Sequence, residues 1–143
     1  MQNGGYMKSF QIRSIVVSML IMFSFSTLIK AQTAGGWTIP PKYKTMKNPV
    51  AVGKESVADG KDLYAKHCKS CHGSAGLGDG PKAATLDVPC GDFSSKKFQA
   101  LSDGEIFFQI TEGKGKMPAF KKTIPEDNSR WAIVNYIRTM AAK

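Results

Sequence analysis

Cys68-Lys69-Ser70-Cys71-His72 concentrates the reactive side chains of this chain. Two thiols separated by two residues, with an imidazole directly after them, have the spacing of covalent haem attachment. The thiols add across the two vinyl groups of a haem to give thioethers, and the adjacent imidazole reaches the iron from the same side. Three other chemistries use the same residue types. A thioredoxin-like pair follows a strand in a βαβ unit, whereas a helical pattern precedes Cys68. A zinc ribbon needs a second pair of thiols. Cys90 stands at a suitable distance after Cys71, but its partner position holds Phe93. A Cys68–Cys71 disulfide is the plain alternative.

An iron held by His72 takes a second axial ligand. The chain has two histidines, and His67, beside Cys68, stands on the attachment side. The methionines after residue 31 are Met46, Met117 and Met140. Met117 lies in Gly113-Lys114-Gly115-Lys116-Met117-Pro118, where a glycine-rich, proline-stopped loop can lay a thioether over a flat ring. So polar a loop is a poor setting for a gap-filling methionine. Met46 in an arm and Met140 in a last helical turn read as packing. His/Met coordination raises the reduction potential and suits electron transfer. Cys90 makes the thiol count odd, which argues against a disulfide framework; it reads as structural and incidental.

Helices must position these groups. Apolar spacing predicts one from about Ser56 to Cys68, with Ser56 and Asp59 resembling a capping box and Val57, Leu63 and Tyr64 on one face. A second begins at Ser102, with Glu105 completing a box; it carries Ile106, Phe107 and Ile110 and stops at Gly113. A third starts between Thr123 and Asp127 and runs to about Ala142 on a stripe of Trp131, Val134, Ile137, Ile133, Tyr136 and Met140. Residues 73–100 are rich in Gly and Pro and read as a long loop, with a short helix near Lys82 to Leu86. Residues 32–54 keep no period and read as an extended arm, which Trp37 and Tyr43 either pin to the domain or leave loosely exposed.

Lys8 and Arg13, the mostly apolar run Ile12 to Ile29 and the small residue Ala31 have the layout of a cleavable secretory signal over residues 1–31; a retained membrane anchor is the alternative. The whole chain carries a formal net charge of +9. Three of its positive residues, Lys8, Arg13 and Lys30, leave with the signal. The remaining positive balance favours acidic protein partners. With no basic cluster longer than a lysine pair, nucleic acid is not expected as a partner.

These residues resemble the class I c-type cytochromes over about Glu55 to Lys143. The resemblance rests on Cys68-x-x-Cys71-His72, the Met117-Pro118 loop and paired end helices. Gly60 and Tyr64 stand eight and four residues before Cys68, where the family has a small residue and an aromatic that meet an aromatic of the last helix; Tyr136 looks like that residue. The stretch His72-Gly73-x-x-Gly76-x-Gly78-Asp79-Gly80-Pro81 is similar to a bacterial variant of the family. By that likeness, Pro81 offers its carbonyl to the His72 Nδ1–H. The resemblance implies an all-α domain, three main helices and long loops wrapped around one covalent haem c. It implies His72 and Met117 as iron ligands, with Cys68, Cys71 and Pro81 completing the cofactor site. It further implies a periplasmic, non-enzymatic carrier that passes single electrons between redox proteins in a respiratory-type chain. Lys69, Lys114, Lys116 and Lys121 are the candidates to steer acidic partners. The alternatives are a fixed haem subunit of a membrane-associated complex, held through a partner or an uncleaved leader, and a haem peroxidase or gas-binding protein.

Overall fold

Gly60 decides how the two longest helices meet. A Cβ there would lie 2.0 Å from the Ala132 carbonyl oxygen and 3.0 Å from Tyr136 Cβ, so only glycine allows the backbones to approach this closely. The structure, a computed structural model, describes residues 36–142; the signal reading of residues 1–31 lies outside them. In chain order the helices are α1 (Pro41–Lys44), α2 (Lys54–His67), α3 (Lys69–His72), a 3-10 turn (Ala83–Thr85), α4 (Lys96–Gln99), α5 (Asp103–Glu112) and α6 (Asp127–Arg138). No strand occurs among the described residues; Lys114 and Met117 form an isolated antiparallel bridge. The fold is all-α, with α2, α5 and α6 as its frame.

Local chemistry accounts for the helix limits. Ser102 Oγ accepts the Glu105 N–H, and Glu105 Oε2 accepts the Ser102 N–H, which is the expected capping box. The start of α2 differs from expectation. Gly53 is its N-cap and Ser56 its N3 residue, so Ser56 Oγ accepts the Gly53 N–H at 3.1 Å and donates to the Ala51 carbonyl at 2.8 Å. Ser56 therefore reaches backwards to the chain before the helix. α6 ends at Arg138, four residues short of the expected Ala142: the Thr139 and Met140 N–H groups turn to the Tyr136 and Ile137 carbonyls and the Ala142 N–H leaves to the Ser94 carbonyl, while the Arg138 guanidinium donates to Asp103, Gln99 and Leu101 and ties the helix end to α4 and α5. Met140 lies just beyond the helix and packs on the core.

The arm is not simply extended. Pro41 sits in the first turn of α1, where its missing N–H costs nothing. Tyr43 packs on Phe108 with ring centroids 4.7 Å apart, and Trp37 meets the same ring edge-on at 6.4 Å. Beyond α1, Asn48 Nδ2 donates to Asn135 Oδ1 at 2.8 Å, while Asn135 Nδ2 donates to the Val50 carbonyl and to Ser56 Oγ. Asn135 is buried on α6. Its satisfied amide is a polar clasp that fixes the arm to α2 and α6.

The core is one cluster. Tyr64 and Cys68 from α2 and its end, Phe93, then Ile106, Phe107 and Ile110 from α5, Phe120, Ile124, and Trp131, Ile133, Val134 and Ile137 from α6 pack together. Tyr64 meets Tyr136 edge-on at 5.2 Å and donates from its hydroxyl to the Gly73 carbonyl at 2.8 Å. That bond ties the helix pair to the loop after His72.

Candidate functional site

Cys68 is the joint between α2 and α3 (φ −115°, ψ −37°). The Cys71 and His72 N–H groups both donate to its carbonyl, at 3.1 and 2.9 Å. One helical turn thus brings the two attachment thiols and the imidazole together. All three cysteines are free thiols, so both thiols of the motif are available for thioether formation. Among the described residues no three His, Cys, Asp or Glu side chains gather as a metal-binding group. Burial, with a smaller contribution from Cys71, pushes the Cys68 thiol up to about 12.

The glycine-rich loop folds back over this turn. The Gly78 N–H donates to the His72 carbonyl at 2.9 Å, Gly80 to Cys71 at 3.2 Å, and Lys82 to Ser70 at 2.8 Å. The Phe93 N–H in turn donates to the Gly76 carbonyl at 2.7 Å. Phe93 then lays its ring on His72, with centroids 4.4 Å apart and planes 26° from parallel. Phe98 backs the Phe93 ring at 4.5 Å. Burial lowers the His72 pKa below that of a free histidine, favouring the neutral imidazole that a metal requires, while the Cys90 backbone nearby opposes the shift.

His72 Nδ1 is buried and without a hydrogen-bond partner. The expected bond to the Pro81 carbonyl is therefore absent. The loop turns at Gly80 and Lys82 to serve Cys71 and Ser70, which leaves Pro81 exposed at the apex between them. Cys90 lies beside the Cys71 thiol, closer to the motif than a purely incidental thiol. Neither Phe93 nor Cys90 carried a sequence signal for this role: both depend on residues 90–93 returning to the motif through a long loop.

Met117 is partly buried against the same core cluster that contains Cys68 and Phe93. Its loop is closed by two bonds, Lys114 N–H to the Met117 carbonyl at 2.9 Å and Met117 N–H to the Lys114 carbonyl at 3.0 Å. Gly113 ends α5 with φ 62°, and a Cβ there would lie 2.4 Å from the Pro118 carbonyl carbon. Both the left-handed turn and the contact demand glycine. Met46 and Met140 pack on the core. His67 turns to Phe120, with ring centroids 6.0 Å apart.

The four candidate steering lysines divide into two pairs. Lys69 and Lys116 are exposed and take part in no ion pair among the described residues. Lys114 Nζ donates to the Gly36 carbonyl at 2.5 Å and lies 5.6 Å from the Trp37 ring centroid. Lys121 pairs with Glu112 at 2.5 Å.

The chain is similar to several known proteins. A family model described as cytochrome c oxidase, cbb3-type, subunit III matches residues 55–137. The chain is 33% identical over 92 residues to cytochrome c6 of Cladophora glomerata, an alignment covering 63% of this chain and 94% of that protein. Among solved structures, it is similar to a chain of the Kuenenia stuttgartiensis reducing HAO-like protein complex, at 26% identity and a TM-score of 0.60. That match covers 68% of this chain, which spans only 50% of the complex's chain. It is also similar to the KustC0563 c-type cytochrome, at 32% identity and a TM-score of 0.52, covering 59% of this chain and 99% of that one.

Proposed function

Since the chain belongs to the family described by that cbb3-type subunit III model and is a class I c-type cytochrome, an electron-transfer protein with covalent haem c, we propose that Cys68 and Cys71 anchor the haem, that His72 and Met117 ligate its iron, and that the chain is a carrier rather than an enzyme. The carrying observation is the single turn in which two free thiols and a partly buried imidazole converge. Haem c, when bound, supplies a one-electron couple. The chain's residues set the conditions for it. Cys68 and Cys71 make attachment permanent, and Phe93 holds the His72 ring in one orientation. The Lys114–Met117 closure presents the thioether, a soft donor that favours ferrous iron and raises the potential. With Met117 as the second iron ligand, the site would hold no open position for a substrate, which fits a role in passing single electrons to protein partners.

Lys69 and Lys116 are the lysines best suited to steer acidic partners. The basic start and apolar run read as a leader over residues 1–31 support export to the periplasm. No described helix is long and apolar enough to cross a membrane. A second reading, a haem subunit fixed in a larger oxidoreductase, draws support from the description of the matched family and from the complex that contains one structural neighbour. Fractionation separates the two. A carrier is released as soluble protein after a salt wash, whereas a fixed subunit co-purifies with its complex. A reduced-minus-oxidised spectrum of the released protein tests the ligand set, since His/Met ligation predicts a low-spin spectrum in both states.

A further inference from the structure

α6 carries one charged side chain inside the fold. Arg130 is 3% exposed. Burying a guanidinium is unfavourable unless its N–H groups find partners. Nε donates to Thr111 Oγ1 at 3.1 Å. Nη1 donates to the Ile124 carbonyl and, at 3.1 Å, to the Pro125 carbonyl. Nη2 meets Asp127 Oδ1. The Asp127 side chain is 71% exposed, so that ion pair is screened by water and does not account for the burial. The guanidinium also lies 5.4 Å from the Phe107 ring centroid, with Phe107 stacked on Trp131 at 4.0 Å. What Arg130 grips from within is the chain at Ile124 and Pro125 and the last turn of α5 at Thr111.

That grip bears on Met117. The Ile124 N–H donates to the Phe120 carbonyl at 2.7 Å, and the Phe120 N–H donates to the Ile110 carbonyl at 3.1 Å. Residues 120–125 are thus a tight turn fastened to α5 at one end and to Arg130 at the other. Met117 and Pro118 enter that turn directly. We propose that Arg130 is a positioning residue for Met117, a buried clamp on the segment after the loop that sets how firmly the thioether stays on the iron. The inference rests on the reading of Met117 as a ligand. Its physical basis is competition: an external ligand can replace the thioether only if the Met117 segment moves away, and Arg130 opposes that movement.

Imidazole titration of the ferric, haem-loaded protein tests this, followed by absorption below the melting temperature of every variant. Arg130→Met removes the donors but keeps an unbranched apolar stem of similar reach. It is expected to tighten imidazole binding by roughly tenfold or more, the scale of a lost charged hydrogen bond. Arg130→Lys, which keeps the charge without the fork, falls between Arg130→Met and wild type. Thr111→Val, which deletes one acceptor at nearly constant shape, tightens binding several-fold and carries the test alone if Arg130→Met does not fold. Wild-type imidazole affinity in Thr111→Val, or in Arg130→Met with a lowered melting temperature, overturns the proposal and leaves Arg130 a purely structural residue. Met117→Ala is the separate check. If it too has wild-type affinity, the ligand assignment fails, and the clamp proposal with it.

Discussion

The phenyl ring of Phe93 lies on the imidazole of His72, 4.4 Å between centroids and 26° from parallel. A ring stacked in this way limits rotation of the imidazole about its Cβ–Cγ bond, which for a metal ligand fixes the donor direction. Phe93 is also buried against Phe98 and near Tyr64, so Phe93→Ala should cost about 3–5 kcal/mol of stability. Phe93→Leu keeps most of the apolar volume and isolates the orienting effect. We expect Phe93→Leu to stay folded and haem-loaded while its paramagnetically shifted proton resonances move and broaden. Unchanged resonances would show that the stack is packing alone.

The Gly60 contact predicts a reversal of the usual sign. In an exposed helix interior, Gly→Ala stabilises by about 1 kcal/mol. Here the added methyl meets the Ala132 carbonyl oxygen at 2.0 Å, and overpacking against backbone costs about 1–3 kcal/mol. Gly60→Ala should therefore lower the melting temperature by several degrees, roughly 4–8 °C per kcal/mol for a domain of this size. A raised melting temperature in thermal unfolding would mean that α2 and α6 are less closely packed than described.

Met117 decides between carrier and gas-binding protein. Met117→Ala is expected to lower the reduction potential, introduce high-spin character and allow carbon monoxide to bind. Met117→His should keep six-coordination at a lower potential, because imidazole is the stronger donor to ferric iron. Met46→Ala and Met140→Ala remove core-packed methionines and should leave the spectrum unchanged. Spectral silence of Met117→Ala, with a change in either control, would move the ligand elsewhere.

The lysines should not contribute equally to docking. Lys69 and Lys116 are exposed, whereas Lys114 and Lys121 are engaged by Gly36 and Glu112. In stopped-flow mixing with an acidic redox protein at low salt, Lys69→Gln and Lys116→Gln should slow association, by about two- to tenfold in combination, and added salt should erase the difference. Lys114→Gln and Lys121→Gln should have the smaller effect. A larger effect from the engaged pair would reverse the assignment of the docking face.

What could be read from the sequence was mostly what local chemistry determines. The Ser102/Glu105 box, the Gly113 stop and the α6 apolar stripe are decided within a turn or two. Gly60, Tyr64 and Tyr136 could be paired only through family resemblance, and they do meet. The start of α2 was misread because Ser56 serves the chain behind it rather than the helix ahead. α1 was missed although Pro41 offered a signal, because a single turn shows no period. The expected bond from Pro81 to His72 is not formed here, and what meets the imidazole instead, Phe93, comes from a return of residues 90–93 that no local pattern marks. Arg130 was equally hidden. A charged residue on an amphipathic helix reads as solvated, and its partner Thr111 is nineteen residues away.

The central claim is that Cys68 and Cys71 carry the haem covalently beside His72. Mass spectrometry of the protein after acid–organic extraction, followed by proteolysis, addresses it directly. The account predicts one haem retained per chain, carried on the peptide that contains Cys68, Cys71 and His72, with the Cys90 peptide unmodified. Haem lost to the organic phase, or recovered on the Cys90 peptide, would contradict it.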